Sequence, residues 1–177
     1  MFLSSFNPFS IRNLRTRSAS GPEKCSFDQF TATLVRNGRP VATIASLLEP
    51  ELDDGLNATR EPEHHLSLTF ESGAEAEYFQ KTVAEINPDS SVGQAIRTHE
   101  LDDLDPAEAF IYLLAYASYL ETRLAANCER FTLFRMPDDD DNAWKVVKSP
   151  YRTALAKKIR REHPGAMIAN ELLSAAA

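Results

Sequence analysis

The residues that could bind a metal ion are few, and their spacing does not match a known metal site. The histidines are His64, His65, His99 and His163, and no two of them have the H-x-x-x-H spacing of a helical metal site. His64 and His65 are neighbours on a predicted strand, where successive side chains point to opposite faces, so they are badly placed to share one ion. We predict no metal site.

The sequence likewise shows no motif of a catalytic nucleophile or of a cofactor site. Cys25 and Cys128 are the only cysteines, and they form neither a zinc pattern nor a disulfide framework. The six glycines contain no phosphate-binding loop, dinucleotide-binding motif or nucleophile elbow. We predict no cofactor and no catalytic residue, with paired catalytic carboxylates as an alternative in so acidic a chain. The low cysteine content favours a reduced cytoplasmic setting, and a Cys25–Cys128 bridge is the alternative.

Two groups of aspartates form a candidate acidic surface. The first group precedes a predicted helix, whose dipole and N-terminal N–H groups stabilise carboxylates, and the second group is the tip of a predicted hairpin. Neither group has the alternating spacing and the glycine of an EF-hand calcium loop. We expect a helix cap and a solvated turn. The alternatives are partner binding by this surface and, for the hairpin tip, opportunistic binding of a divalent cation or mimicry of a phosphate run. The members are Asp102, Asp103 and Asp105 in the first group, and Asp138, Asp139, Asp140 and Asp141 in the second.

A cluster of cations near the C-terminus is the candidate basic surface. It includes a predicted amphipathic helix, in which Leu155 and Ile159 lie four residues apart on the apolar side. Such helices are typical of proteins that contact phosphates, membrane surfaces or acidic partners, and the alternative is a solvated face that pairs with the chain's own acids. The members are Lys145, Lys148, Arg152, Lys157, Lys158, Arg160 and Arg161.

The formal charge of −7 is distributed unevenly along the 177 residues. Residues 1–48 carry +4, residues 49–129 carry −14 and residues 130–177 carry +3. Such asymmetry favours a macromolecular partner, and it influences solubility and association rather than fold. Imitation of a nucleic-acid backbone by the acidic middle segment is an alternative, although nucleic-acid mimics are usually more acidic than this chain.

Hydrophobic periodicity predicts the elements that position these groups. Residues 27–46 form two β-branched runs around Asn37-Gly38, which predicts a hairpin with a type I′ turn. Residues 64–71 alternate between apolar and polar side chains, which predicts a third strand. A capping box formed by Ser72 and Glu75 begins a predicted helix that ends near residue 86.

The second half of the chain predicts a long helix, a hairpin and a basic helix. Asp105-Pro106 is a strong helix start, and the apolar segment that follows predicts a central helix packed on a sheet. Residues 130–148 predict a second hairpin, and residues 151–163 predict the basic helix. The expected fold is α+β, with a mainly antiparallel sheet in the order β-β-β-α-α-β-β-α packed on the central hydrophobic helix.

The length suits one soluble domain with a tail. Residues 1–24 are rich in arginine and serine and contain no acid before Glu23, so we predict a flexible basic tail. Residues 25–177 are predicted to form a single domain. Because no apolar run approaches the ~20 residues of a membrane span, we expect no transmembrane segment. A targeting signal in the tail, for an organelle or for delivery into a host cell, is the alternative.

The opening hairpin, FTATLVRNGRPVATI, and the closing segment, FTLFRMPDDDDNAWKVVKSPYRTALAKKIRREHPGAMIANELL, carry a family resemblance. Together they resemble small accessory proteins of phages, plasmids and other bacterial mobile elements. Those proteins often begin with a strand, an Asn-Gly-Arg turn and a strand, and often end with a hairpin and a basic helix. The resemblance implies an accessory role that tunes or blocks a host system by binding, and it implies no catalytic residue.

Three hypotheses follow from the sequence. The first is a non-enzymatic accessory or inhibitor protein that binds a host protein or protein–nucleic-acid complex through charged surfaces and counters a defence system. The second is a nucleic-acid-associated protein that uses the basic helix. The third is a translocated effector or an organelle-targeted protein directed by residues 1–24. The sequence alone leaves the partner and the oligomeric state open.

Overall fold

The computed structural model describes residues 6–17, 29–49, 63–99, 101–139 and 143–176. The chain divides into two compact units. We call residues 5–118 the N unit and residues 119–177 the C unit. No helix within the described ranges is long and apolar enough to cross a membrane.

The sheet of the N unit has four antiparallel strands in the order of the chain. They are β1 (Phe9–Arg17), β2 (Gln29–Arg36), β3 (Arg39–Glu49) and β4 (Glu63–Phe70). Between β2 and β3, Asn37 and Gly38 have φ angles of 49° and 82°. Both central residues of a type I′ turn require positive φ, and so the predicted hairpin is confirmed.

Strand β1 corrects the prediction of a flexible tail over residues 6–17. Phe6, Phe9 and Ile11 are 2%, 1% and 4% exposed, so this segment belongs to the core. The strand was missed because its arginines and serines resemble a tail in composition, whereas its order comes from pairing with β2. Residues 18–24 lie outside the described residues.

Three helices follow β4, namely α1 (Gly73–Ala84), α2 (Ser91–Thr98) and α3 (Pro106–Cys128). The predicted N-caps are confirmed, because the Ser72 side chain accepts from the Glu75 N–H at 3.3 Å and Asp105 Oδ1 accepts from the Ala107 N–H at 2.9 Å. The Glu75 carboxylate binds Arg36, so the second half of the predicted capping box is not what the structure shows for it. The first half of α3 packs on the sheet, as predicted for the central helix. The Phe110 ring there lies 6.3 Å from that of Phe9.

Large aromatic side chains form the core of the N unit. The Phe9 ring meets that of Phe79 edge to face, with centroids 5.3 Å apart, and the Phe30 ring lies 5.8 Å from that of Tyr112 on α3. Each buried phenylalanine contributes roughly 1.5–3 kcal/mol through removal of its surface from water. The sheet and its helices are therefore held together mainly by apolar packing.

The C unit contains a smaller antiparallel sheet and two helices. Its strands are β5 (Thr132–Arg135), β6 (Lys145–Val147) and β7 (Met167–Ile168), in the order β6-β5-β7. Its helices are α4 (Thr153–Glu162) and α5 (Ala169–Ala176). The predicted second hairpin and basic helix are confirmed. Strand β7 was missed, because two residues are too few to show an alternating pattern.

The core of the C unit is small and is completed by hydrogen bonds. Phe134, Ile159 and Ile168 pack with two buried alanines. Asn170 is 8% exposed, and its side chain accepts from the Leu133 N–H at 3.1 Å. The same side chain donates to the carbonyls of residues 128 and 131, both at 3.0 Å, so each of its polar atoms is paired.

The α+β class with mainly antiparallel sheet is confirmed. The described residues form two sheets of four and three strands, whereas the sequence suggested one sheet. The difference arises because β5 pairs with β6 on one side and with β7 on the other, so these strands form a sheet of their own.

Candidate functional site

The outward face of α4 carries three of the predicted cations. Ala156 and Ile159 are buried, which fixes the inner face of the helix. Lys157, Lys158 and Arg161 are exposed, and spacings of three and four residues place them on one side of a helix. We call these three residues the basic stripe.

The basic stripe is only weakly neutralised within the described part of the chain. Lys158 Nζ lies 3.9 Å from Glu162 Oε1, and these side chains are 60% and 50% exposed. Exposed ion pairs of this kind contribute little because water screens them and the side chains lose entropy. Among the described residues, Lys157 and Arg161 have no ion-pair partner. The stripe therefore presents positive charge to solvent.

Arg160, the fourth cation of α4, has a structural role instead. Its guanidinium donates to both carboxylate oxygens of Glu171 on α5, and the Tyr151 hydroxyl donates to Oε1 of the same carboxylate at 2.9 Å. The hydrogen bond from Arg160 holds the pKa of Glu171 below its ordinary value, and Glu171 raises the pKa values of Arg160 and Tyr151. This triad ties α4 to α5 and removes Arg160 from the candidate surface.

Lys145 and Asp139, one from each predicted surface, bind each other. Lys145 Nζ donates to Asp139 Oδ2 at 2.7 Å, and the same oxygen accepts from the Met136 N–H at 2.8 Å. The Lys145 hydrogen bond and then the backbone bond lower the pKa of Asp139. The pair closes the hairpin between β5 and β6, so these residues stabilise the fold.

The remaining basic candidates, Lys148 and Arg152, are exposed in the segment between β6 and α4. Neither has an ion-pair partner among the residues that the structure describes. They extend the set of exposed cations upstream of the basic stripe along the chain.

The acidic candidates are divided between the two units. Asp102 and Asp103 are exposed in the turn before α3, and Asp105 caps that helix, all in the N unit. Asp138 is exposed in the C unit. The positions of Asp140 and Asp141 lie outside the described residues. Asp105 and Asp139 thus have structural roles, whereas Asp102, Asp103 and Asp138 are left exposed.

A cleft of about 620 Å³ at the β2–β3 turn was not predicted. Arg36 donates from Nε to Glu75 Oε2 at 2.8 Å and from Nη2 to Oε1 at 2.5 Å, and its guanidinium lies 4.4 Å from the ring centroid of Tyr78. Hydrogen bonding between the pair raises the pKa of Arg36 and lowers that of Glu75. The sequence pattern predicted a capping role for Glu75. Its contact with Arg36 was not predicted, because the two residues lie 39 positions apart in the chain. The lining residues are Arg36, Asn37, Arg39, Pro40, Val41, Glu71, Ser72 and Glu75.

This cleft contains both signs of charge. Arg36 and Glu75 neutralise each other, and the exposed Arg39 and Glu71 are again of opposite sign. The lining therefore favours neither an anion nor a cation. The Arg36–Glu75 pair connects the end of β2 to α1 and so stabilises the position of the hairpin.

The described residues contain no group of three or more histidine, cysteine, aspartate or glutamate side chains that could hold a metal ion. His99 packs against Tyr116 and His163 stacks on Phe134, with ring centroids 4.9 and 5.1 Å apart. Burial raises the pKa of the Cys128 thiol, which disfavours the reactive thiolate. The side chains of His64 and His65 lie outside the described residues.

Comparisons of the chain with protein-family models, curated proteins and solved structures found no match. Among the described residues, the basic stripe is the group of predicted basic residues that one helix face brings together and leaves exposed.

Proposed function

We propose that this protein is a non-enzymatic accessory protein that binds a host partner through the basic stripe. The partner would be a host protein or a protein–nucleic-acid complex with an anionic surface. Binding would tune or inhibit that partner, in the manner that the resemblance to mobile-element proteins implies. A cytoplasmic location, suggested by the cysteine content, is part of this proposal.

The observation that carries the proposal is the contrast among the four cations of α4. Arg160 is bound by Glu171, whereas Lys157 and Arg161 face solvent without an ion-pair partner among the described residues. The chain contains 26 acidic side chains, so the exposure of these cations is not due to a shortage of acidic residues. A cluster of exposed cations attracts an anionic partner over a distance of about 8 Å at physiological salt, and this steers association.

A host protein is favoured over bare nucleic acid by the composition of the stripe. Proteins that bind single-stranded nucleic acid usually stack bases on aromatic side chains. The exposed face of α4 offers Ala154 and Thr153 beside the cations, and no aromatic residue occurs between residues 153 and 162. Contacts to phosphates alone would bind any duplex weakly and without sequence preference.

A capture experiment tests the proposal. The full chain is immobilised and exposed to bacterial lysate at low and high salt, beside the variant Lys157→Ala/Lys158→Ala/Arg161→Ala. The matched control is Arg15→Ala/Lys81→Ala/Arg97→Ala in the N unit, because Lys81 has a 3.9 Å pair with Glu85 that resembles that of Lys158. We expect a salt-sensitive protein partner that the stripe variant loses and the control retains. Equal capture by both variants would rule the proposal out.

Fluorescence anisotropy with a short random-sequence DNA duplex tests the nucleic-acid hypothesis separately. Three neutralised phosphates would give a slope of about −2.7 in log K against log salt. We expect no measurable binding at physiological salt. Tight binding with that slope, abolished in the stripe variant, would replace the proposed partner by nucleic acid.

A further inference from the structure

The two edges of the N-unit sheet differ in how they are protected. Strand β1 has exposed Arg12 and Arg15, and its register with β2 shifts between them, where Asn13 has a φ of 54°. Charged side chains and irregular backbone on an edge strand prevent it from pairing with other chains. The β1 edge is therefore closed to strand addition.

Strand β4 has none of these features over its described side chains. It pairs with β3 without a shift from Phe70 to Glu63. Residues 66–70, Leu-Ser-Leu-Thr-Phe, contain no charge, proline or glycine. Among the described residues, no strand pairs with its outer side. Such a regular, uncharged edge is a template for a further strand.

The sequence of this edge is self-complementary. In an antiparallel pair centred on Leu68, Leu66 of one copy lies opposite Phe70 of the other, and Ser67 lies opposite Thr69. Apolar groups thus meet on the core face and hydroxyl groups meet on the solvent face, both of which are favourable cross-strand pairs. Pairing along β1 would instead gather Arg12 and Arg15 of both copies at one seam.

We propose that the protein forms a homodimer by antiparallel pairing of β4 with β4 of a second copy. The two four-stranded sheets then form one continuous sheet about a two-fold axis. Leu66, Leu68 and Phe70, which are half-buried in one copy, gain apolar neighbours across the seam. This interface lies in the N unit and is independent of the proposed binding role of α4.

Sedimentation equilibrium of the full chain, from micromolar to millimolar concentration, measures the association directly. We expect a reversible dimer, and Ser67→Lys/Thr69→Lys should raise its dissociation constant at least about tenfold because lysines then oppose each other at the seam. The matched control is Thr31→Lys/Thr43→Lys, on the same exposed face of the inner strands. The control should dimerise like the unmodified chain.

A second variant keeps the test decisive if the lysines disturb folding. Ser67→Cys/Thr69→Cys should form an intermolecular disulfide under mild oxidation, whereas Thr31→Cys/Thr43→Cys should not. Circular dichroism confirms that each variant is folded. A chain that stays monomeric at millimolar concentration overturns the proposal and leaves the β4 edge to a different extended chain. A dimer that only the control substitutions weaken overturns it as well.

Discussion

The two units of the molecule are stabilised in different ways. In the N unit, the rings of Phe9, Phe79 and Phe110 contact one another, and the ring of Phe30 packs on that of Tyr112. In the C unit, a smaller core is supplemented by the hydrogen bonds of Asn170 and by ionic contacts. The N unit therefore depends mainly on apolar burial, whereas the C unit depends more on polar contacts.

Their charges differ as well. Residues 5–118 carry a formal charge of −9 and residues 119–177 carry +2. The excess of acid is therefore a property of the N unit, and the exposed cations of α4 belong to the unit without that excess. This division supports placing the proposed binding role in the C unit.

The largest expected effect is on the core of the N unit. Phe9→Ala should lower the free energy of unfolding by about 3–5 kcal/mol, because it removes a buried ring that contacts those of Phe79 and Phe110. Urea denaturation followed by circular dichroism measures the loss. Arg12→Ala on the same strand should change stability by less than about 0.5 kcal/mol. If both variants changed stability equally and only slightly, the segment would not be part of the core, and the original prediction of a tail would stand.

The next effect concerns the polar tie of the C unit. Asn170→Ala leaves the Leu133 N–H and two carbonyls without their side-chain partner, which should cost about 2–3 kcal/mol. Trp144, the only tryptophan, lies in the C unit, so its fluorescence during urea denaturation reports on this unit. Asn127→Ala, at an exposed position, is the control. A loss no larger than that of the control would contradict the polar account.

These two units also show how much the sequence could predict. Local patterns specify the Asn37-Gly38 turn and the start of α3 at Asp105-Pro106, because a turn or a cap depends on neighbouring residues. Strand β1 is specified by its partner β2, which local propensity does not identify. The short β7 likewise depends on β5 for its order.

The candidate site divides in the same way. The pair of Lys158 with Glu162 is four residues apart and can be predicted from helix periodicity. Arg160 and Glu171 are eleven positions apart on different helices, so only the fold shows that Arg160 is bound. Sequence analysis therefore identified the basic helix but could not separate its exposed cations from its structural one.

Acid should weaken the ionic contacts of the C unit in a defined range. The folded-state pKa of Glu171 is lowered from its ordinary 4.5, so its stabilisation is complete above pH 4.5 and is lost as pH falls through the lowered pKa. The raised pKa of Tyr151 acts oppositely, with its stabilisation complete below pH 10.0 and lost as pH rises through the raised pKa.

Glu171→Gln tests this dependence. Urea denaturation is followed by Trp144 fluorescence at a series of pH values. Below pH 4.5, the urea midpoint should fall less steeply with pH in the variant than in the unmodified chain. Glu162→Gln, whose pair with Lys158 is long and exposed, should leave the acid dependence unchanged. Identical curves for all three proteins would show that Glu171 is not a source of acid sensitivity.

The smallest expected effect on stability is at the basic stripe. Replacing Lys157, Lys158 or Arg161 singly by alanine should change the free energy of unfolding by less than about 0.5 kcal/mol, because these side chains are exposed. Arg160→Ala should lower the urea midpoint measurably more, because Glu171 loses its cation. Equal effects of all four substitutions would remove the distinction between exposed and structural cations.

Site-specific photocrosslinking at Ala154 tests the proposed binding role most directly. Ala154 is exposed three, four and seven residues before the members of the basic stripe, and a photoreactive residue there samples whatever the stripe contacts in bacterial cells. The same residue at Gln80, exposed on α1, is the control. We predict a discrete protein adduct from position 154 that disappears with Lys157→Glu/Lys158→Glu/Arg161→Glu and is absent from position 80. Indistinguishable adducts from both positions, or an adduct that survives the charge reversal, would contradict the account.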